Sequence, residues 1–332
     1  GLPYIDHLWN LDSKKILGGF VTNNATVNEA LPALSAFVHQ LRKEKFDRII
    51  NLSFSPSSSF LTHMISEGGK VPVTGYTRTA DLYLHSPDQA SRYFRAHVGT
   101  DRTNRLHVID LFAWVAGVTL KPSDCHIDGR TGASLDDTIV CHVGASQTTK
   151  TWPETSWVSL FNLLLEHTSL SIKVVGGKSE KELADKICMQ VSDESRVQNL
   201  VGQTNYKDLL ALIKRAKTFV GADSGPLHVA NMAGCPSVNL SVGDVRFWET
   251  GPTVPGSLVL VSRVAEFLSS KAVAQAIDTI VRGAPEPGEA YRCVDRRPVR
   301  YEPVNGTQPR DEAWELIQWL HFDGVKPTLE PV

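Results

Sequence analysis

Along this chain, short apolar runs without helical period alternate with amphipathic segments. The alternation is most regular after Thr138. TIVCHVGA, LSIKVVGG, RVQNLVG, TFVGA, PSVNLSV and LVLVS read as buried strands. TSWVSLFNLLLEHT, SEKELADKICMQV, NYKDLLALIKRA and LHVANMA read as the intervening helices, and one more is expected from about Val264 to Val281. Strands alternating with helices predict an α/β fold with a parallel, doubly wound sheet and right-handed crossovers. Ligands in such sheets bind beyond the carboxyl ends of the strands.

The first part is less regular. Asn28–Lys45 reads as a helix with Leu31, Leu34, Phe37, Val38 and Leu41 on one face. FDRIINLSF reads as a strand, SPSSS as a polar turn into the helix FLTHMIS, KVPVTGY as a strand and HVIDLFAWVAGV as a helix. IDHLWNL is also taken as a strand. The polar stretch KPSDCHIDGRTGASLDD is expected to link two domains. The chain therefore divides into a first domain over 1–132, a second over 133–283, and 284–332. In this last part an extended Pro/Gly/Arg-rich segment leads to the helix DEAWELIQWLHF. That helix should pack back on the body through Trp314, Ile317, Trp319 and Leu320, since free tryptophans are costly to leave in water.

Composition narrows the class. The 332 residues are 42% hydrophobic and 21% charged, as in a globular chain. A net charge of −2 argues against a general nucleic-acid binder. No apolar run approaches the roughly 20 residues of a membrane span. Five cysteines without a CxxC pair point to a reduced, cytoplasmic protein and against a metal site built from them.

Candidate chemistry gathers around Thr218–Pro252. There the strand TFVGA meets the turn Asp223-Ser224-Gly225 and a helix that stops at Gly234. Ser224 is a natural N-cap and Pro226 fits the first turn. Backbone N–H groups at the helix start, with Gly225 allowing close approach, make an anion site that suits a diphosphate. Asp223 and His228 flank it, about one helical turn apart. The plainer reading is that many strand-to-helix junctions use a serine cap and a glycine. Polar residues follow the other strands too: Gly144-Ala145-Ser146 and Lys150 after the first, Gly176-Gly177 and Glu180 after the second, Thr204 after the third. Taken singly, Glu180 and Thr204 could cap helices and Lys150 could be a surface lysine. Taken together, they would converge on one crevice suited to a nucleotide. Lys150 and the helix-start amides would neutralise a leaving diphosphate, Glu180 would accept from ribose hydroxyls and Asp223 from sugar hydroxyls. The chain contains no D-x-D triplet, so a metal-independent glycosyl transfer is expected, without a cofactor. Between Arg78 and Leu106, five arginines and two histidines are interleaved with Tyr83, Tyr93 and Phe94. A solvated helix face explains them most simply, and a docking surface for an acidic acceptor is the alternative.

GASQTTKTWPETSW, VVGGKSEKE, NLVGQTNYKDLLALI and GADSGPLHVANMAGCP occur in the order and spacing found in the ADP-heptose:lipopolysaccharide heptosyltransferases, glycosyltransferase family 9. The chain resembles that family closely over Thr138–Pro252 and more weakly over the first domain. The resemblance implies a GT-B fold, two Rossmann-like domains with the active cleft between them, and inverting transfer without a metal. It implies that Lys150 lies on the donor phosphates, Glu180 near the ribose and Thr204 at the adenine pocket. Asp223 would face the heptose and act with Lys150 in catalysis, with Ser224, Gly225 and His228 at the diphosphate. Ser146 would sit near the phosphates. Family members begin with a strand and a Gly-Asp loop carrying the base, and nothing before Gly1 matches it. The first βα unit is thus expected to be missing, and no catalytic base is named. Implied partners are a nucleotide-sugar donor and a glycan, glycolipid or protein acceptor, with peripheral contact at the inner face of the membrane. Two rival readings remain at this point: another GT-B enzyme such as a UDP-sugar epimerase, and a non-catalytic nucleotide-sugar-binding protein.

Overall fold

The computed structural model describes residues 5–12, 27–99, 102–127, 130, 135–145, 147–288, 290–296 and 299–304. Ser146 and the late helix expected around Trp314 lie outside them. The chain forms two compact units. One comprises Gly1–Arg102 with Trp114–Val118, the other Thr103–Ala113 with Thr119–Val332.

In the first unit, α1 (Val27–Lys43) precedes β1 (Ile49–Asn51), α2 (Pro56–Ile65) and β2 (Val73–Gly75). The SPSSS stretch starts α2 by a reciprocal cap. Ser55 Oγ accepts from Ser58 N–H at 3.1 Å, and Ser58 Oγ accepts from Ser55 N–H at 3.2 Å. β1 and β2 pair in parallel, Ile49 opposite Val73. Gly75, at φ +90°, ends the pair, where any Cβ would lie 2.0 Å from the Asn51 carbonyl oxygen. A hairpin of β3 (Thr77–Arg78) and β4 (Leu84–His85) leads to α3 (Gln89–His97), whose Tyr93 is fully buried. The strand expected over IDHLWNL is not formed. Residues 5–12 carry no strand, Leu8 stays 78% exposed, and Trp9 sits edge-on to Phe46 instead.

The arginines of the basic stretch are largely engaged with backbone. Arg78 donates to Ser59 Oγ and the Leu82 carbonyl and lies 3.9 Å from the centre of the Phe60 ring. Arg102 donates to the Ala96 carbonyl at 2.7 Å. These contacts favour the solvated-face reading of this stretch over a docking surface.

The boundary between the units runs through α4 (Val108–Ala116). The second unit holds an eight-stranded sheet. Its parallel strands are β5 (Thr138–His142), β6 (Ser171–Val175), β7 (Val197–Asn199), β8 (Thr218–Ala222), β9 (Ser237–Val242) and β10 (Leu258–Ser262). They are ordered β7-β6-β5-β8-β9-β10, so the order reverses between β5 and β8. Crossovers are made by α5 (Glu154–His167), α6 (Lys181–Cys188), α7 (Tyr206–Arg215) and α8 (Gly225–Met232). The short α9 (Phe247–Thr250) follows β9. The expected 264–281 helix is instead a single turn, Ala265–Phe267, and then α10 (Ser270–Arg282), because Ser269 Oγ accepts from Lys271 N–H and starts a new helix.

Both sheet faces are covered, which is why these strands read as continuous apolar runs. One layer packs Ile139, Cys141, Trp157, Leu160, Phe161 and Ile277 together. The other packs Val140, Phe219, Leu209, Ile213 and Leu227. The segment after residue 284 adds an antiparallel hairpin, β11 (Ala290–Arg296) and β12 (Val299–Pro303), to the β10 edge. Its anchor is Tyr301, 2% exposed, whose hydroxyl donates to the Pro252 carbonyl at 2.7 Å. Tyr301→Phe removes that donor and leaves a buried carbonyl unpaired. It should lower unfolding stability by about 1–2 kcal/mol, read from the urea midpoint; an unchanged midpoint would show that this hydrogen bond adds nothing to stability.

Candidate functional site

The reversal of strand order places the carboxyl ends of β5 and β8 side by side, with His142 opposite Gly221 in the register. Each adjoining strand end turns into a helix through a short polar segment. After β5, a single turn at Thr148–Lys150 holds Lys150, its N–H bonded to the Gln147 carbonyl. Gly243, at the end of β9 with φ +75°, closes on that turn; a Cβ there would sit 3.1 Å from the Thr149 carbonyl. After β6 come Gly176, Gly177 and a turn at Lys178–Glu180. After β8 come Asp223 and Ser224.

Three of these residues are joined by hydrogen bonds. His142 is almost wholly buried, its side chain 5% exposed. Its Nε2 lies 3.1 and 3.2 Å from the two Glu180 oxygens, and its Nδ1 lies 3.0 Å from Ser224 Oγ. Glu180 Oε2 also accepts from Gly177 N–H at 2.6 Å. Burial pushes the Glu180 carboxyl up. The His142 hydrogen bond and charge, with the Gly177 N–H, more than offset this and hold it below the usual glutamate range. The carboxylate is therefore ionised at neutral pH and accepts only. Nε2 therefore carries a hydrogen, and Nδ1 meets the Ser224 hydroxyl as acceptor when the ring is neutral and as donor when it is protonated. Room for the carboxylate comes from glycine. A Cβ on Gly144 would lie 1.8 Å from Glu180 Oε1, and one on Gly176 would lie 2.5 Å from Oε2.

A second cluster lies on the β8–α8 turn. Asp223, its side chain 14% exposed, accepts from Thr250 Oγ1 at 2.8 Å, and His228 Nε2 is 4.0 Å from its other oxygen. Ser224 occupies the N-cap position with extended backbone, but its side chain caps nothing. This corrects the expected serine cap: the hydroxyl turns to His142 and to the Ala222 carbonyl, 3.2 Å away. The expected row of open amides is also shorter. Leu227 and His228 N–H both return to the Ser224 carbonyl, and Pro226 has no N–H. That leaves the amide of Gly225, where a Cβ would meet nothing within 4 Å.

Lys150 is half-buried and has no carboxylate partner among the described residues. Thr204 is half-buried beside Gly202, whose N–H bonds the Gly176 carbonyl at 2.9 Å. Its helix is capped by the next residue, Asn205, which accepts from Lys207 and Asp208 N–H. No hydrogen bond joins Lys150 or Thr204 to the two clusters. His142 was absent from the residues chosen by sequence. It reads there as one more strand position, and the signal is that it is the last, polar residue of an otherwise apolar run. An open cavity of about 700 Å³ lies at the opposite, amino-terminal end of β9 and β10, lined by Pro236, Gly256, Gly283 and Arg292, away from these groups. Among the described residues, no group of three or more His, Cys, Asp or Glu could hold a metal ion, and no helix is long and apolar enough to cross a membrane.

Comparison with known proteins agrees with this architecture. Lipopolysaccharide heptosyltransferase 3 of Escherichia coli (strain K12) is 22% identical over 240 residues, covering 70% of this chain and 69% of that protein. The structure of the E. coli ADP-heptose LPS heptosyltransferase II superposes with a TM-score of 0.56 at 18% identity, covering 76% of this chain and 81% of the other. A glycosyl transferase family 9 protein from Veillonella parvula DSM 2008 superposes with a TM-score of 0.60 at 17% identity, covering 78% and 81%. These likenesses establish the GT-B fold. The signature of glycosyltransferase family 9 (heptosyltransferase) matches residues 34–253, more than half of the chain; the chain belongs to that family and is a glycosyltransferase.

Proposed function

We propose that this enzyme transfers heptose from ADP-heptose to a lipopolysaccharide-core or related glycan acceptor, with inversion at the anomeric carbon and without a metal ion. An acceptor hydroxyl attacks the anomeric carbon as the bond to the diphosphate oxygen breaks and ADP departs. The observation that carries the reading is the set of groups at the β5/β8 switch in a family 9 chain. Lys150, the Gly225 amide and Ser224 suit a diphosphate, Glu180 suits vicinal ribose hydroxyls, and Asp223 suits sugar hydroxyls. Thr204, beyond β7, would border the adenine, and His228 the sugar-side phosphate. Lys150 and fixed dipoles supply the positive charge that the leaving group needs, the role a cation plays elsewhere. These residues act on the donor; deprotonation of the acceptor falls to a group outside this set. A cytoplasmic location, where nucleotide sugars and reduced thiols occur, fits the five free cysteines. The acceptor would then be met at the inner face of the membrane.

Lys150→Ala should lower kcat/KM for ADP-heptose by about 10²-fold or more, as loss of one charge-stabilising donor commonly does. The assignment fails if the variant binds and turns over the donor normally. Gly144→Ala drives a methyl group into the space held by Glu180 Oε1. It should weaken ADP binding by about tenfold or more, roughly 1.4 kcal/mol, with the melting curve little changed. Thermal shift should favour ADP over UDP; the reverse order would overturn the choice of an adenosine donor.

A further inference from the structure

His142 links the two ends of the donor rim. One ring nitrogen holds Glu180, the group assigned to ribose, and the other meets Ser224, the hydroxyl at the diphosphate end. The Ser224 hydroxyl has one hydrogen and several claimants: His142 Nδ1 at 3.0 Å, the Ala222 carbonyl at 3.2 Å, and any anion at the start of α8. In a neutral ring that gives Nε2–H to Glu180, the serine hydrogen belongs to Nδ1. A diphosphate oxygen, itself only an acceptor, would compete for that same hydrogen. If the hydroxyl turns to the phosphate, Nδ1 faces the serine oxygen lone pair to lone pair. The conflict is removed when Nδ1 binds a proton from water and donates to Ser224 Oγ, while Ser224 donates onward to the diphosphate.

We propose that His142 is a positioning residue whose protonation is coupled to donor binding: the diphosphate takes the Ser224 hydroxyl, and the ring takes up one proton from solvent to hold both Ser224 and Glu180. The inference rests on the donor reading given above. The proton goes onto Nδ1 and no covalent bond to the sugar is involved. The charge then runs Glu180 carboxylate, imidazolium, serine hydroxyl, diphosphate, with donors and acceptors matched at each step. The ring contacts Glu180 from the β6–α6 turn and Ser224 from the β8–α8 turn. Other charged groups on the same rim are Lys150 from the β5–α5 turn and Asp223 with His228 from the β8–α8 turn. Of these only His228 is also an imidazole, and it sits on Asp223, not on the Ser224 hydroxyl.

The test is calorimetry of the whole chain with ADP-glucose, whose capped diphosphate stays fully ionised from pH 6 to 8.5, in two buffers of different ionisation enthalpy. The wild type should take up protons on binding, and its affinity should strengthen as pH falls, by up to about tenfold per pH unit. The sign follows because the bound state holds the extra proton. His142→Gln, which retains an N–H donor toward Glu180, should lose both uptake and slope. Ser224→Ala, which removes the shared hydroxyl, should lose them too, so the result does not hang on one variant folding. A merely structural histidine would instead weaken binding equally at every pH. Wild-type binding without uptake, or uptake that persists in both variants (pointing to His228), overturns the inference and leaves the donor reading intact. Where ADP-glucose does not bind, the same two-buffer measurement is made with ADP-heptose; absence of binding by both at any pH overturns the donor reading and this inference with it.

Discussion

The constraint on which the site depends is the position of β5 between β6 and β8. Parallel strands wound in both directions from β5 leave helices on opposite faces and a gap in the helical cover at the carboxyl end of the switch. Into that gap β5 delivers His142, β6 delivers Glu180 through a single turn, and β8 delivers Asp223 and Ser224. Had β8 followed β7 on the same side, the hydrogen bonds from His142 to both neighbours could not form. The core layers that fix this order, Trp157, Leu160 and Phe161 on one face and Ile213, Phe219 and Leu227 on the other, are therefore a condition of the site as well as of stability.

Glycine is what makes the rim compact. Gly144 and Gly176 lie where any side chain would overlap the Glu180 carboxylate, so the strands can end directly against it. Gly202 and Gly243 take positive φ where the chain turns away from β7 and β9. Compactness matters because a carboxylate held by Gly177 N–H and His142 cannot swing. Its remaining lone pairs point in fixed directions, the preorganisation that recognition of vicinal hydroxyls requires.

The second half of the chain was legible from its sequence because every strand is buried on both faces and every crossover helix is amphipathic; those two periods are local and unambiguous. Lys150, Glu180, Thr204 and Asp223 could be picked out because each follows an apolar run, and parallel topology sends all such ends to one edge. What could not be read was which side chain meets which. The Ser224 hydroxyl had a local partner available, the α8 amides, and instead took a tertiary one, His142, 82 residues earlier. His142 is hard to read for the same reason: its partners come from β6 and β8, and its own strand marks it only by a polar residue closing an apolar run. The hairpin β11–β12 read only as extended chain, since antiparallel pairing to β10 and the Tyr301 anchor to Pro252 are long-range contacts.

A site that binds a diphosphate beside two carboxylates has to manage repulsion. At 4 Å, like unit charges repel by about 4 kcal/mol in a medium of effective dielectric 20, enough to abolish useful affinity. The second unit answers with local pairing. Glu180 faces His142 and the Gly177 amide, and Asp223 faces the Thr250 hydroxyl and His228. Both oxygens of each acid already face a donor or an imidazole, and each keeps further lone pairs for neutral hydroxyls. Lys150 alone among the assigned charges has no partner in the described residues, so its positive charge is uncompensated and would be available to the anion of the proposed donor. The division has a chemical logic. On the proposed reading, paired carboxylates would discriminate sugar and ribose hydroxyls without opposing the diphosphate, and the unpaired lysine would act where negative charge grows as the glycosidic bond breaks. A neutral His142 offsets Glu180 only by its dipole. A protonated one would cancel the charge outright, so the proposed proton uptake at this ring would reconcile an acid at the ribose with an anion at the helix start.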